Sequence, residues 1–397
     1  MDLGRATLYG MRNVYLDNAA ATPTDPRVIR ATSEVSRLAG HPSAFNDAGR
    51  HIQGLLEKAR KEVADFLHAR PDEIIFTSSD SESISLALAG FLRGKKGRVL
   101  TTPIEHPSVL KTLASLLDTE VDFIDLDKNG HVDLVDLKRK LKKDTLLVSV
   151  MYANNEIGTI QPISKIARLI RDFKIENLKL KIHEKSKTIF HVDACQATGF
   201  LDMNVQNLGA DLLTFNGIKI YGPKGVGVLY KRRRVVLQPF IRGGIEEHGL
   251  RAGTENVPAI VGLAKALSLI KPTEGKKLSV LRDYAIAKIK KEIPGAILVG
   301  PEGNKRLPNN INVCVPKLTS ENMLLELDKY GIYAGSGSAC TSHSVEPSHV
   351  LKAIGIPKTH INGALRFSLG RGTKKSDSEY LARTLKKIIR ELEQRYR

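Results

Sequence analysis

The sequence contains no tryptophan, and aromatic residues make up only 5% of its 397 positions. Cysteine is scarce, with three residues (Cys195, Cys314, Cys340), odd in number and far apart, which argues for reduced thiols and against a disulfide framework. No apolar run approaches the ~20 residues that would span a bilayer, so no membrane association is expected. The N-terminus, Met1-Asp2-Leu3-Gly4-Arg5, lacks the apolar core of a signal peptide, and a cytoplasmic protein is expected. No pair of cysteines and histidines has metal-ligand spacing, so no metal is assigned.

Charge is abundant and one-sided, with 61 Lys and Arg against 43 Asp and Glu, a formal net charge of +18. The one tight cluster, Lys231-Arg232-Arg233-Arg234, has no interleaved aromatic residues and offers no stacking platform for bases. Direct nucleic-acid binding is therefore not expected, and the cluster reads as a solvated basic surface.

The first half alternates strand and helix signals. Asp25-Pro26 opens a helix, and a second runs from about Asp47 to His68. Strands are predicted at Glu73–Thr77, Arg98–Thr102, Val121–Asp125, Thr145–Tyr152, Ile189–Ala194, Asp211–Phe215 and Val226–Tyr230. Helical patterns lie between most of them, as in an α/β domain with a mainly parallel sheet. The last third has its own pattern: helices at Val257–Leu269, Leu278–Ile293, Ser320–Tyr330 and Asp377–Tyr396, and strands at Ile297–Val299, Ile311–Val315 and Leu365–Ser368. Lys271–Gly275 reads as a connector, and Asn177–Lys187 as an exposed loop or helix extension.

Two segments carry the chemistry. Cys340 stands in a run of small residues, Ala334-Gly335-Ser336-Gly337-Ser338-Ala339-Cys340-Thr341-Ser342, a sequence that suits a thiol that must travel and react. Far upstream, Thr214-Phe215-Asn216-Gly217-Ile218-Lys219 delivers Lys219 to a glycine-rich turn, where a desolvated amine can form a Schiff base. A reactive lysine and a mobile thiol together point to pyridoxal phosphate (PLP) chemistry on sulfur.

Further residues suit such a site. Asp193 ends a strand, where it can face a ring nitrogen or, equally, cap the next turn. Gln196 can donate to a phenolic oxygen. His106 can lie flat on a ring or serve as a helix cap. Ser78–Ser83 places a strand end before a helix N-terminus, which favours a phosphate, with Ser81 adding a hydroxyl. Asn154 and Asn155 offer donors to a carboxylate, and Arg366, in an apolar strand, suits a bidentate grip or a structural ion pair. Cys195 and Cys314 read as packed core thiols. His343, three residues after Cys340, can lower its pKa or simply be exposed.

Ordered segments over nearly the whole chain resemble the cysteine desulfurases, PLP enzymes of fold type I in the class V aminotransferase superfamily. They include Tyr15–Pro23, the His106 and Asn155 segments, His191–Gln196, Tyr221–Gly225, Arg242–Thr254, Ser336–Ser342, Glu346–Ser348 and Arg366–Arg371. The Cys340 and Arg242–Thr254 segments resemble the group serving iron–sulfur assembly and tRNA thiolation. The resemblance implies an N-terminal segment (1–29) packing with the small domain, a large PLP-binding domain (30–262) and a small C-terminal domain (263–397) bearing the cysteine loop. It implies that Lys219 holds PLP, Asp193 faces the ring nitrogen, Gln196 its phenolic oxygen, and His106 stacks and moves protons. Asp80, Ser81 and Asn216 lie at phosphate positions. Asn155 and Arg366 would hold the carboxylate of L-cysteine, and Cys340 would leave as a persulfide for a sulfur-acceptor protein or iron–sulfur scaffold. Thr254 would reach the phosphate of the other subunit in a homodimer.

The departures cluster at the phosphate. Ser79-Asp80-Ser81-Glu82-Ser83 replaces the usual Gly-Ala-Thr-Glu-Ser, and Asn216-Gly217-Ile218-Lys219 replaces Ser-x-His-Lys. Ile245 and Glu246 replace Gly-Gln. The rival expectations are another class V enzyme, such as a selenocysteine lyase or an aminotransferase, and a catalytically impaired paralogue acting as a binding subunit.

Overall fold

The computed structural model describes residues 12–179, 188–337 and 347–395. A short strand β1 (Val14–Tyr15) is followed by helices α1 (Pro26–Ser36) and α2 (Asp47–Leu67). Asp25 caps α1 by accepting the Arg27 N–H at 2.9 Å, with Pro26 in the first turn where its missing N–H costs nothing. Helix α2 stops at His68, which takes the left-handed conformation.

The large sheet is built from β2 (Ile74–Thr77), β3 (Gly97–Thr101), β4 (Thr119–Phe123), β5 (Thr145–Met151), β6 (Ile189–Asp193), β7 (Leu212–Asn216) and β8 (Gly227–Lys231). Their order is β2-β8-β7-β6-β5-β3-β4, and β8 alone runs against the rest. Helices α3 (Asp80–Leu92), α4 (Pro107–Ala114), α5 (Leu134–Lys140), α6 (Ile163–Lys179) and α7 (Val205–Leu208) make the crossovers, and α8 (Val257–Ser268) packs on α1 and α2. Strands β5, β6 and β7 are almost wholly buried, as strands covered on both faces must be. The mainly parallel α/β sheet expected from the sequence is thus present.

A second core lies towards the C-terminus. Helix α9 (Pro272–Glu292), strands β9 (Ile297–Leu298) and β10 (Asn310–Cys314), helix α10 (Ser320–Lys329), strand β11 (Ile332–Tyr333), helices α11 (His349–Ala353) and α12 (Lys358–Ile361), strand β12 (Ala364–Ser368) and helix α13 (Lys375–Arg395) follow in order. The antiparallel sheet β12-β10-β9 packs its apolar side on α9, α10 and α13. β1 pairs in parallel with β11, and Val14 and Leu16 are buried in this second core.

Two expectations are corrected. Lys271–Gly275 is no connector: α9 begins at Pro272, whose fixed φ suits a first helical residue, and Glu274 is held by Arg371 at 2.9 Å. Strand β4 lies two residues earlier than the expected Val121–Asp125, because pairing with β3 sets its register from Thr119. Of Asn177–Lys187, the first three residues extend α6; the remainder lies outside the described residues.

Candidate active site

A parallel sheet delivers the C-terminal ends of its strands to one edge, and the site lies there. The ends of β5, β6 and β7 and the turns after β2 and β3 converge on a cavity lined by Asp80, His106, Asn155, Asp193, Cys195, Gln196, Lys219 and Arg366, with Ala19, Ala20, Met151 and Ala153. Most of them stand at or just beyond a large-sheet strand end, and Ala19, Ala20 and Arg366 reach in from the N-terminal loop and β12.

Lys219 ends a tight turn after β7. Gly217 permits that turn, since a Cβ there would meet the Pro223 carbonyl at 2.7 Å. The Lys219 Nζ donates to the Ala20 carbonyl at 2.7 Å. Asp193 is the last residue of β6, and its Oδ1 accepts the Cys195 N–H at 3.0 Å, so the capping role read from sequence and the site position coexist. Burial raises its pKa, the Asp80 carboxylate adds to the rise, and His106 opposes it. Gln196 is aimed by a bond from Nε2 to the Ala19 carbonyl at 3.0 Å.

His106 likewise does two things. It caps α4, its Nδ1 accepting the Ser108 N–H at 3.2 Å and lying 2.7 Å from the Ser108 Oγ, while the ring lines the cavity. Behind it Glu105 is fully buried, accepting from Thr102 Oγ1 at 2.6 Å and from the Met151 N–H at 3.0 Å. Burial pushes its pKa up to about 8, which favours its protonated form near neutral pH. His191 is a core residue between Ser149 (2.8 Å) and Thr214 (3.3 Å), and burial lowers its pKa to about 3.

Arg366 projects from β12 and is 1% exposed. Its Nη2 meets Asp17 Oδ1 at 2.7 Å, its Nη1 donates to the Asn155 carbonyl at 3.2 Å, and its Nε has no partner among the described residues. Two main-chain bonds join Arg366 to Gly335, at 2.6 and 3.1 Å. The role of Asp17 was not read from the sequence, although it lies in the segment Tyr15–Pro23. Asn154 holds structure instead of facing a ligand: its Nδ2 donates to the Ile104 carbonyl at 2.9 Å and its Oδ1 receives the Glu156 and Ile157 N–H groups.

The turn between β2 and α3 is less regular. Ser79 caps α3, and Glu82 accepts from Ser78 and from Arg251 at 2.9 Å. Ser81 is exposed on the first turn, and Asn216 buries an Oδ1 with no partner among the described residues. Asp80 points into the cavity, its Oδ2 accepting from the Cys195 thiol at 3.4 Å. Thr254 is exposed, with Oγ1 3.2 Å from His41 Nε2, away from the cavity of its own chain.

Cys195 and Cys314 are buried, and burial raises both thiols, Cys314 to about 12. Cys314 packs in the core, whereas Cys195 borders the cavity with its thiol turned to Asp80. Cys340 and His343 lie outside the described residues. Among the described residues no cluster has the composition of a metal site, and no helix is long and apolar enough to cross a membrane.

Such a constellation defines a class of protein. The family model for aminotransferase class V matches residues 14–381, and PLP-dependent enzymes of fold type I are that class. A cysteine desulfurase IscS from Dictyoglomus turgidum is 42% identical over 390 residues, 96% of this chain and 95% of the relative. Cysteine desulfurase IscS 1 from Archaeoglobus fulgidus is 40% identical over 95% of this chain and 97% of its own length. Among solved structures, a NifS-like protein superposes with TM-score 0.85 at 34% identity, covering 95% of this chain and 99% of that one. An apo cysteine desulfurase from Thermococcus onnurineus gives TM-score 0.80 at 27% identity over 95% of each chain. The chain belongs to the class V aminotransferase family, among its cysteine desulfurases.

The residues present fit PLP. A lysine amine, a buried carboxylate at a strand end, an amide and an imidazole surround one cavity, and Arg366 Nε is a buried donor still lacking a partner among the described residues.

Proposed function

We propose that the chain is a cysteine desulfurase that converts L-cysteine to L-alanine and carries the sulfur as a persulfide on Cys340. The observation supporting this most is the ladder between Arg366 and Gly335. It roots the segment leading to Cys340 on the same arginine that suits the substrate carboxylate, so sulfur and thiol start from a common anchor.

PLP, when bound, supplies an electron sink that makes the bonds around the substrate α- and β-carbons labile. Lys219 would hold it, Asp193 would pair with its ring nitrogen and Gln196 with its phenolic oxygen. His106 would cover the ring, with Asp80, Ser81 and Asn216 towards the phosphate. Arg366 and Asn155 orient the substrate carboxylate, for which Arg366 exchanges its bond to Asp17. The Cys340 thiolate attacks the substrate sulfur, so that an S–S bond forms as the Cβ–S bond breaks. The electron pair of that broken bond remains with the β-carbon, which takes a proton to become the alanine methyl. No external oxidant is needed, and the persulfide passes its outer sulfur to an acceptor thiol.

The acceptor would be a protein serving iron–sulfur assembly or tRNA thiolation, and the setting the cytoplasm. A homodimer is supported by the face around Thr254. The His41–Thr254 bond brings together two segments that expose Phe45 (96%) and Ile245 (91%) to solvent, surface that a second copy would cover while receiving Thr254 at its phosphate. Incubation of holoenzyme with L-cysteine tests the reading: equal yields of alanine and transferable sulfur are expected, and alanine without sulfur transfer would refute it.

A further inference from the structure

Glu156 follows Asn155 in the loop after β5, and its side chain is buried at 1% exposure. Its main chain is fixed on both sides. The N–H donates to Asn154 Oδ1 at 2.8 Å, and the carbonyl accepts from Asn310 Nδ2 at 2.9 Å and Asn312 Nδ2 at 3.1 Å. Large-sheet loop and small-sheet strand β10 thus hold one residue between them.

The carboxylate then reaches both flanks of the stretch that contains Cys340. Ser348 Oγ donates to Glu156 Oε2 at 2.6 Å. A Cβ placed on Gly337 would lie 3.1 Å from the same Oε2, so the main chain at Gly337 passes close beside the carboxylate and a larger residue there would press on it. Residues 337 and 348 bracket the thiol. Ser348 also caps α11, accepting the Val350 N–H at 3.1 Å, and His349 Nε2 lies 2.9 Å from the Glu105 carbonyl beside His106.

We infer that Glu156 is the positioning residue for the Cys340 thiol. Its carboxylate fixes where the cysteine-bearing stretch leaves and rejoins the fold, in register with the Asn155–Arg366 carboxylate clamp. This rests on the reading of Cys340 as the sulfur acceptor. Glu156 acts through Gly337 and Ser348. A charge-assisted hydrogen bond to a buried carboxylate is strong enough for its loss to slow sulfur capture by about tenfold or more.

The test is single-turnover persulfide formation by the holoenzyme with L-cysteine, read by mass spectrometry of the peptide containing Cys340, beside cofactor content and the KM for cysteine. Glu156→Ala should lower the rate about tenfold while cofactor content and KM stay within about twofold. Glu156→Gln keeps an acceptor oxygen for Ser348 and should recover most of the rate. Ser348→Ala should fall between, and the double variant should be no slower than Glu156→Ala. A Glu156→Ala rate within twofold of wild type, or a loss appearing in KM or cofactor content, overturns the inference. Should Glu156→Ala not fold, a wild-type rate in Ser348→Ala overturns it equally. Absence of a Cys340 persulfide in the wild-type control refutes the parent reading instead, and the inference falls with it.

Discussion

At the proposed ring end of the cavity, Asp193 ends β6 and Gln196 and Lys219 lie in the turns after β6 and β7, each held by a main-chain partner within 3.0 Å. At the proposed phosphate end, Ser81 is exposed, the Ile218 side chain offers no donor, and Asp80 turns a carboxylate inward towards Cys195. The two ends carry out different tasks. The ring end must set electronics and geometry, which tolerates little change, whereas the phosphate end supplies binding free energy that several donors can share. The difference predicts an enzyme whose chemistry is intact and whose cofactor anchoring is weakened.

The largest effect should follow from breaking the ring end. Lys219→Ala should abolish turnover and the cofactor linkage that borohydride traps; a trapped linkage at Lys224 in that variant would reassign the lysine. Next, Arg366→Gln removes the charged half of the carboxylate clamp. It should raise the KM for L-cysteine by roughly ten- to a hundredfold, measured by steady-state alanine release, with cofactor content unchanged. An unchanged KM would leave Arg366 as only the structural partner of Asp17.

The phosphate end should respond in the opposite direction. Asp80→Ala removes an anion from the cavity, and Ile218→His restores a donor; each should tighten PLP binding, by about tenfold for one charge-assisted bond. Titration of apoprotein with PLP checks this, and constants unchanged in both variants would dissolve the contrast between the two ends.

The smallest effect concerns Glu105 behind the ring. Its folded pKa of about 8 exceeds the 4.5 of an exposed glutamate, so between these values the native chain keeps a proton that the unfolded chain has released. Its contribution to stability is complete below 4.5 and is lost as pH rises towards 8. Glu105→Gln, which keeps the acceptor for Thr102 and Met151, should flatten the decline of Tm over that window. An equal decline in the variant would mean that Glu105 does not cause it.

How much of this was legible in the sequence depended on distance along the chain. The alternating pattern revealed the parallel sheet, and the motif residues His106, Asp193, Gln196, Lys219, Asn155 and Arg366 all line or adjoin one cavity. Pattern reading treated capping and site roles as rivals for His106 and Asp193, yet a strand-to-helix turn accommodates both. Asp17, Glu105 and Glu156 were missed because their importance arises from partners hundreds of residues away or from burial, neither of which leaves a local period. Lys271–Gly275 was misread because proline and glycine signal a turn and a helix start alike.

The most direct test is one turnover of L-cysteine, followed by mass analysis of the wild-type protein and of Cys340→Ser. The wild type should gain one sulfur atom on the peptide containing Cys340 and release one alanine, and Cys340→Ser should retain PLP yet gain none. Sulfur on Cys195 or Cys314, or a full gain in Cys340→Ser, would contradict the account.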